Sequence, residues 1–102
     1  MSEEAAAGLF NPPPFRPAEA LTQLQRTLRE LGGLSQRGLQ FEWKGRTVLT
    51  LAVADAQLQA RLARRPASSP QWDSRTLRSG ADVRKFCDDV KQRVARWRDV
   101  DD

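Results

Sequence analysis

Gly38 to Ala54 reads Gly-Leu-Gln-Phe-Glu-Trp-Lys-Gly-Arg-Thr-Val-Leu-Thr-Leu-Ala-Val-Ala. Leu39, Phe41 and Trp43 alternate with Gln40, Glu42 and Lys44, a period of two that marks a strand with one wet face. The second arm is apolar at Val48, Leu49, Leu51 and Val53, so it is expected to be the more buried and more central strand. Gly45 offers the positive φ that a tight hairpin loop requires, which places the turn at Lys44-Gly45. A lone two-stranded hairpin is marginal in water, so a further strand or covering helices must complete it.

Both flanks offer a helix. Pro17 suits a first helical turn, where its missing N–H has no partner to lose. Leu21, Leu24, Leu28 and Leu31 then line one face, and Gly32-Gly33 supplies a left-handed stop. Two heptads are too few for a coiled coil, so this stripe is expected to pack on the protein's own sheet. Near the C-terminus Ser79 is a cap with Asp82 three residues on, and Val83, Phe86, Val90, Val94 and Trp97 form a second stripe.

Between these elements the reading divides. Ala56, Leu58, Ala60 and Leu62 alternate with polar residues as a third strand would. Yet Ala, Gln, Leu and Arg are good helix formers and Asp55 is a good cap, so a short helix ended by Pro66 is the assignment taken for 55–65. Residues 66–79 read as a loop with at most a short strand around Arg75 to Arg78. The expected architecture is a small single α+β domain over residues 17–98. It has an N-terminal amphipathic helix, an antiparallel hairpin or meander of two to four strands, and a C-terminal amphipathic helix packed on one sheet face. A Pro-rich tail, 1–16, contains Asn11-Pro12-Pro13-Pro14, and Phe15 is expected to tuck against the domain. An acidic tail, 99–102, closes the chain.

Composition bounds the function. The 102 residues are 39% hydrophobic and 29% charged, ordinary for one globular domain. One cysteine forms no internal disulfide. The N-terminus lacks the basic start and apolar run of a secretory signal, and the Val48–Ala54 run, broken by Thr50, is far below the ~20 residues of a membrane span. A soluble cytoplasmic protein without membrane contact is the expectation. The net charge of +4 permits an acidic partner without demanding one. The 14 arginines against 3 lysines suit bidentate recognition, and equally follow from a GC-rich gene.

The chain has no histidine, so it lacks an imidazole base and any Ser–His or Cys–His pair. A zinc site resting on one thiol and carboxylates is not how zinc is usually held. No Gly-rich phosphate loop follows a strand. Cys87, at the edge of the second stripe beside Asp88 and Asp89, is expected to pack rather than react. The two aspartates are about 100° apart on a helix and are expected to pair with Arg84, Lys85 and Arg93 at four-residue spacing. No catalytic residue, cofactor, metal or small-molecule substrate is implied.

The strongest positive signal is local charge. Arg61, Arg64, Arg65, Arg75, Arg78, Arg84 and Lys85 face only Asp73 and Asp82 over 61–85, with Trp72 among them. Arginines gripping phosphates and a ring stacking on a base describe a single-strand nucleic-acid site, which the basic residues Arg84, Lys91 and Arg98 extend along the second helix. In the plainer alternative the Arg stems cover apolar surface while Trp72 plugs the core. Trp43 at the hairpin tip and Trp72 in the loop also suit anchors for a protein partner, since Trp and Arg are enriched at interface hot spots. Arg64-Arg65-Pro-Ala-Ser68 resembles a basophilic kinase site. The expected function is that of a small non-enzymatic binding or accessory module acting through a protein partner or a homodimer. The alternative is a nucleic-acid-binding module. The candidate surface comprises Arg64, Arg65, Trp72, Arg75, Arg78, Arg84, Lys91 and Trp43.

Overall fold

A computed structural model describes residues 15–101. The Pro-Pro-Pro stretch and Asp102 lie outside the described residues. Helix α1 spans Pro17–Glu30, and five strands follow as an uninterrupted meander: β1 Leu34–Arg37, β2 Gln40–Trp43, β3 Arg46–Ala54, β4 Gln57–Ala63 and β5 Trp72–Leu77. Helix α2, Gly80–Asp101, closes the domain. Every neighbouring strand pair is antiparallel and the sheet order is β1-β2-β3-β4-β5. The class is α+β as expected. Five strands replace the two to four read from the sequence.

Three tight turns set the register. Lys44 and Gly45 have φ of 51° and 85° between the paired Trp43 and Arg46, the left-handed pair that matches strand twist. Asp55 and Ala56, at 52° and 59°, form the same kind of turn between Ala54 and Gln57. This corrects the helix assigned to 55–65, because alternation prevails over intrinsic propensity there. As a strand, β4 pairs on both edges and buries Leu58, Ala60 and Leu62. A helix would leave β3 and β5 without their shared neighbour. The loop assigned to 66–79 likewise shortens, since Trp72 begins strand β5. Leu39 sits in the β1–β2 turn and is 44% exposed, so the first arm of the hairpin starts one residue later than its alternation suggested.

A bulge completes the inward pattern. Phe41 pairs with Leu49 while Glu42 pairs with Thr47, so β3 carries one extra residue, Val48. Both Val48 and Leu49 are consequently buried, which strict alternation forbids. Leu34, Phe41, Trp43, Leu49, Leu51, Leu58, Leu62 and Leu77 meet Leu24 and Leu28 of α1 and Phe86, Val90, Val94 and Trp97 of α2 in one core. Leu21 and Phe15 pack on its margin. Both helices therefore cover the same sheet face. The opposite face carries Arg37, Gln40, Thr50, Gln59, Arg61, Ser74 and Thr76, and among the described residues no helix lies over it.

The helix ends are tied by specific groups. Ser79 Oγ accepts from the Asp82 amide at 3.1 Å, the cap read from the sequence. The Asp82 carboxylate accepts from the Arg78 amide at 2.9 Å, one residue outside the position of a standard capping box. At the end of α1, Arg98 of α2 donates to the carbonyls of Leu31 and Gly32 at 3.0 and 2.9 Å, a cation placed on the negative end of a helix. Gly33, at φ 83°, lies against the Trp43 ring so closely that a Cβ there would fall 2.3 Å from Cζ3.

Gly33→Ala therefore combines a left-handed φ with an overlap against a buried indole. It is expected to lower unfolding free energy by about 2–4 kcal/mol in urea titration. Gly38→Ala, with φ 61° and nothing near its would-be Cβ, should cost only about 1 kcal/mol. Ala56→Gly relieves the left-handed penalty in the β3–β4 turn and is expected to stabilise by about 1 kcal/mol.

Candidate functional site

Where the β2–β3 turn, the β4–β5 loop and the last turns of α2 meet, they enclose a cleft of about 750 Å³. Lys44, Arg46, Arg64, Arg65, Arg93 and Arg96 line it, and among the described residues no carboxylate does. Its floor is the pair Trp43 and Trp97, whose rings lie 5.9 Å apart at 59°. Both indoles are nearly buried, 4% and 6% exposed. Trp43 is thus a core residue rather than the projecting hairpin-tip anchor expected from the sequence. Its side chain follows the inward parity of Leu34 and Phe41, not the turn it precedes.

One acid behind the cleft organises part of this charge. Asp73, on β5, receives Arg93 at 2.7 Å and Arg64 at 3.1 Å. Arg93 also donates to the carbonyls of Leu62 and Ala63, and the Trp97 indole N–H reaches the Arg64 carbonyl at 3.4 Å. These bonds hold α2 to the end of β4. Hydrogen bonds from Arg93 first and Arg64 second keep the Asp73 carboxyl below its ordinary value of 3.8. Arg46 donates to Ser68 Oγ at 2.8 Å, bridging the β2–β3 turn to the β4–β5 loop. Among the described residues Arg65 and Arg96 have no ion-pair partner, and both are exposed.

A second groove, about 820 Å³, lies beyond the Arg46–Ser68 bridge and shares Lys44, Arg46, Ala67 and Ser68 with the first. Trp72 forms its far side. Arg61 covers this ring, its guanidinium carbon 4.8 Å from the centroid.

The residues singled out from the sequence do not all converge. Arg64, Arg65 and Trp43 belong to the cleft, and Trp72 to the adjoining groove. Arg75 alternates with Trp72 along β5 and so emerges on the opposite face, where it meets Asp89 at 3.9 Å. Arg78 lies six residues beyond Trp72, about 20 Å along a strand. Arg84 and Lys91 line a separate groove between the helices, about 450 Å³, with Cys87 and Asp88. Asp89 thus pairs across to β5, and Arg93 turns to Asp73 instead of along its own helix. Burial raises the Cys87 thiol pKa; Asp88 adds to this and Lys91 opposes it, in line with a packing cysteine. Arg46, Arg93, Arg96 and Trp97 were not anticipated. Arg46 is far in sequence from Arg93, Arg96 and Trp97, and only the packing of α2 against the hairpin brings them together.

The folded Asp73 pKa is depressed, so its stabilising contribution is complete above the unfolded value and lost as pH falls through the folded one. Asp73→Asn is expected to lower the urea midpoint at pH 7. The gap to the parent protein should close as pH is taken below 3.8. Denaturation curves at pH 7, 5, 4 and 3 check this, and a pH-independent gap contradicts it.

Among the described residues no cluster of three or more His, Cys, Asp or Glu side chains could hold a metal, and no helix is long and apolar enough to cross a membrane. Comparison with family models, curated proteins and solved structures finds no match to this chain.

Proposed function

We propose that this protein is a non-enzymatic module that binds nucleic acid through the cleft between the β2–β3 turn, the β4–β5 loop and α2. The observation that carries the proposal is the lining of six cations without a carboxylate among the described residues. Phosphates entering such a cleft displace condensed counterions, and that release supplies most of the binding free energy of sequence-independent recognition. The second groove continues the same basic wall, so the surface suits an extended polyanion better than a compact one. Arginine predominates, which suits bidentate phosphate contacts.

A second reading, self-association or a protein partner, draws on a different observation. Among the described residues the outer edges of β1 and β5 have no neighbouring strand, and such edges accept further strands. Among the described residues the large exposed apolar side chains are Leu39, Val53 and Val100, which gives a hydrophobic interface little support. Light scattering after size exclusion separates the two readings: a stable dimer supports edge pairing, and a monomer speaks against it.

Fluorescence anisotropy with a labelled twelve-nucleotide oligomer tests the cleft. Affinity is expected to fall steeply between about 50 and 200 mM salt. Arg65→Ala and Arg96→Ala, chosen because neither residue is ion-paired among the described residues, should each reduce the salt slope by about 1. No binding at the lowest salt overturns the proposal.

A further inference from the structure

The open sheet face next to the cleft holds an arrangement that charge alone does not require. Ala63 pairs with Trp72 and Arg61 with Ser74, which sets Arg61 and Trp72 diagonally on the face that no helix among the described residues covers. Arg61 is exposed and lies on the half-buried indole at 4.8 Å. The guanidinium thus has Trp72 as a neighbour and is also exposed to solvent, a cation beside an indole of the kind on which a nucleobase stacks. Around it stand Thr50, Gln59, Ser74 and Thr76, neutral groups able to donate and accept hydrogen bonds.

The groove leading to the Arg61–Trp72 pair starts at the Arg46–Ser68 bridge and ends at Trp72, and among the described residues no carboxylate lines it. We infer that a nucleic-acid strand leaves the basic cleft over that bridge and stacks a base on the Arg61–Trp72 pair, so that the protein selects single strands over duplex. The inference rests on the nucleic-acid reading above. Stacking needs a base whose face is accessible, and in a duplex both faces are covered by neighbouring pairs. A strand that delivers phosphates to the cleft can turn its bases toward the sheet only if it is unpaired.

The test uses the intact chain, a twelve-residue thymidine oligomer and a hairpin duplex of the same nucleotide count. Trp43 and Trp97 floor the cleft, so a bound strand reaches them as well, and the share of the quench lost in Trp72→Phe is what reports on Trp72. The single strand is expected to quench, and Trp72→Phe to remove most of the quench while anisotropy still detects binding; a quench that Trp72→Phe leaves intact overturns the stacking site. Arg61→Lys keeps the charge and loses the plane, and should weaken single-strand binding about ten-fold. The duplex is expected to bind at least ten-fold more weakly than the single strand. Salt-dependent binding without quenching, with Arg61→Lys unchanged or with the duplex bound equally well, overturns the stacking site and leaves the cleft standing. Absence of oligonucleotide binding, or displacement of the oligomer by polyglutamate at equal charge, overturns both. Circular dichroism of Arg61→Lys, an exposed substitution, separates lost stacking from lost fold.

Discussion

The contact between Trp43 and Trp97 is the constraint on which the remaining geometry depends. Trp43 ends β2 and Trp97 lies in the penultimate turn of α2, so their packing fixes the helix over the hairpin end of the sheet. It is possible only because Gly33 has no side chain where the Trp43 ring lies. Arg98, one residue on, then reaches the last carbonyls of α1 and links the two helices. Two large indoles bury much apolar area at a single junction, and their tilted arrangement adds a directional preference to that burial. Once α2 is held there, Arg93 and Arg96 necessarily stand beside Lys44 and Arg46.

The gathering of like charges is costly unless solvent or counter-charge relieves it. Asp73 provides part of the relief by holding Arg93 and Arg64 with short hydrogen bonds, and carbonyls at the end of β4 take further donors from Arg93. Arg65 and Arg96 remain in solvent. The pattern divides the arginines into those that build the end of the domain and those that face outward from it. Positive potential at an open cleft with low-dielectric walls favours anions approaching from solution.

The two sheet faces differ for a related reason. Both helices are spent on one face, where the bulge at Val48 adds a second consecutive inward residue and fills the space beneath α1 and α2. The other face is left to threonine, glutamine, serine and arginine, residues that tolerate water and still suit a pleated surface. Trp72 is the exception on that face, shielded by Arg61. Half-burial under a cation gives the indole a partner without removing the guanidinium from solvent.

The amphipathic helices, the Lys44-Gly45 turn and the hairpin were legible in the chain because each depends on contacts within a few residues. Leucine spacing, a capping serine and a glycine tolerant of positive φ are local statements, and the core formed by Leu28, Phe41, Leu51, Phe86 and Val90 follows from them. The strand at 57–63 was not decided locally. Its residues favour a helix in isolation, and only pairing with β3 and β5 makes the extended form cheaper. The basic cleft was visible only as a charge excess near Arg64 and Arg65, because Lys44 and Arg46 come from one segment and Arg93 and Arg96 from another far along the chain. Sequence spacing cannot report which side of a strand a residue faces after a bulge, nor which helix turn lands on which hairpin. Tertiary packing decided both, through the shape of two tryptophans and the absence of one side chain.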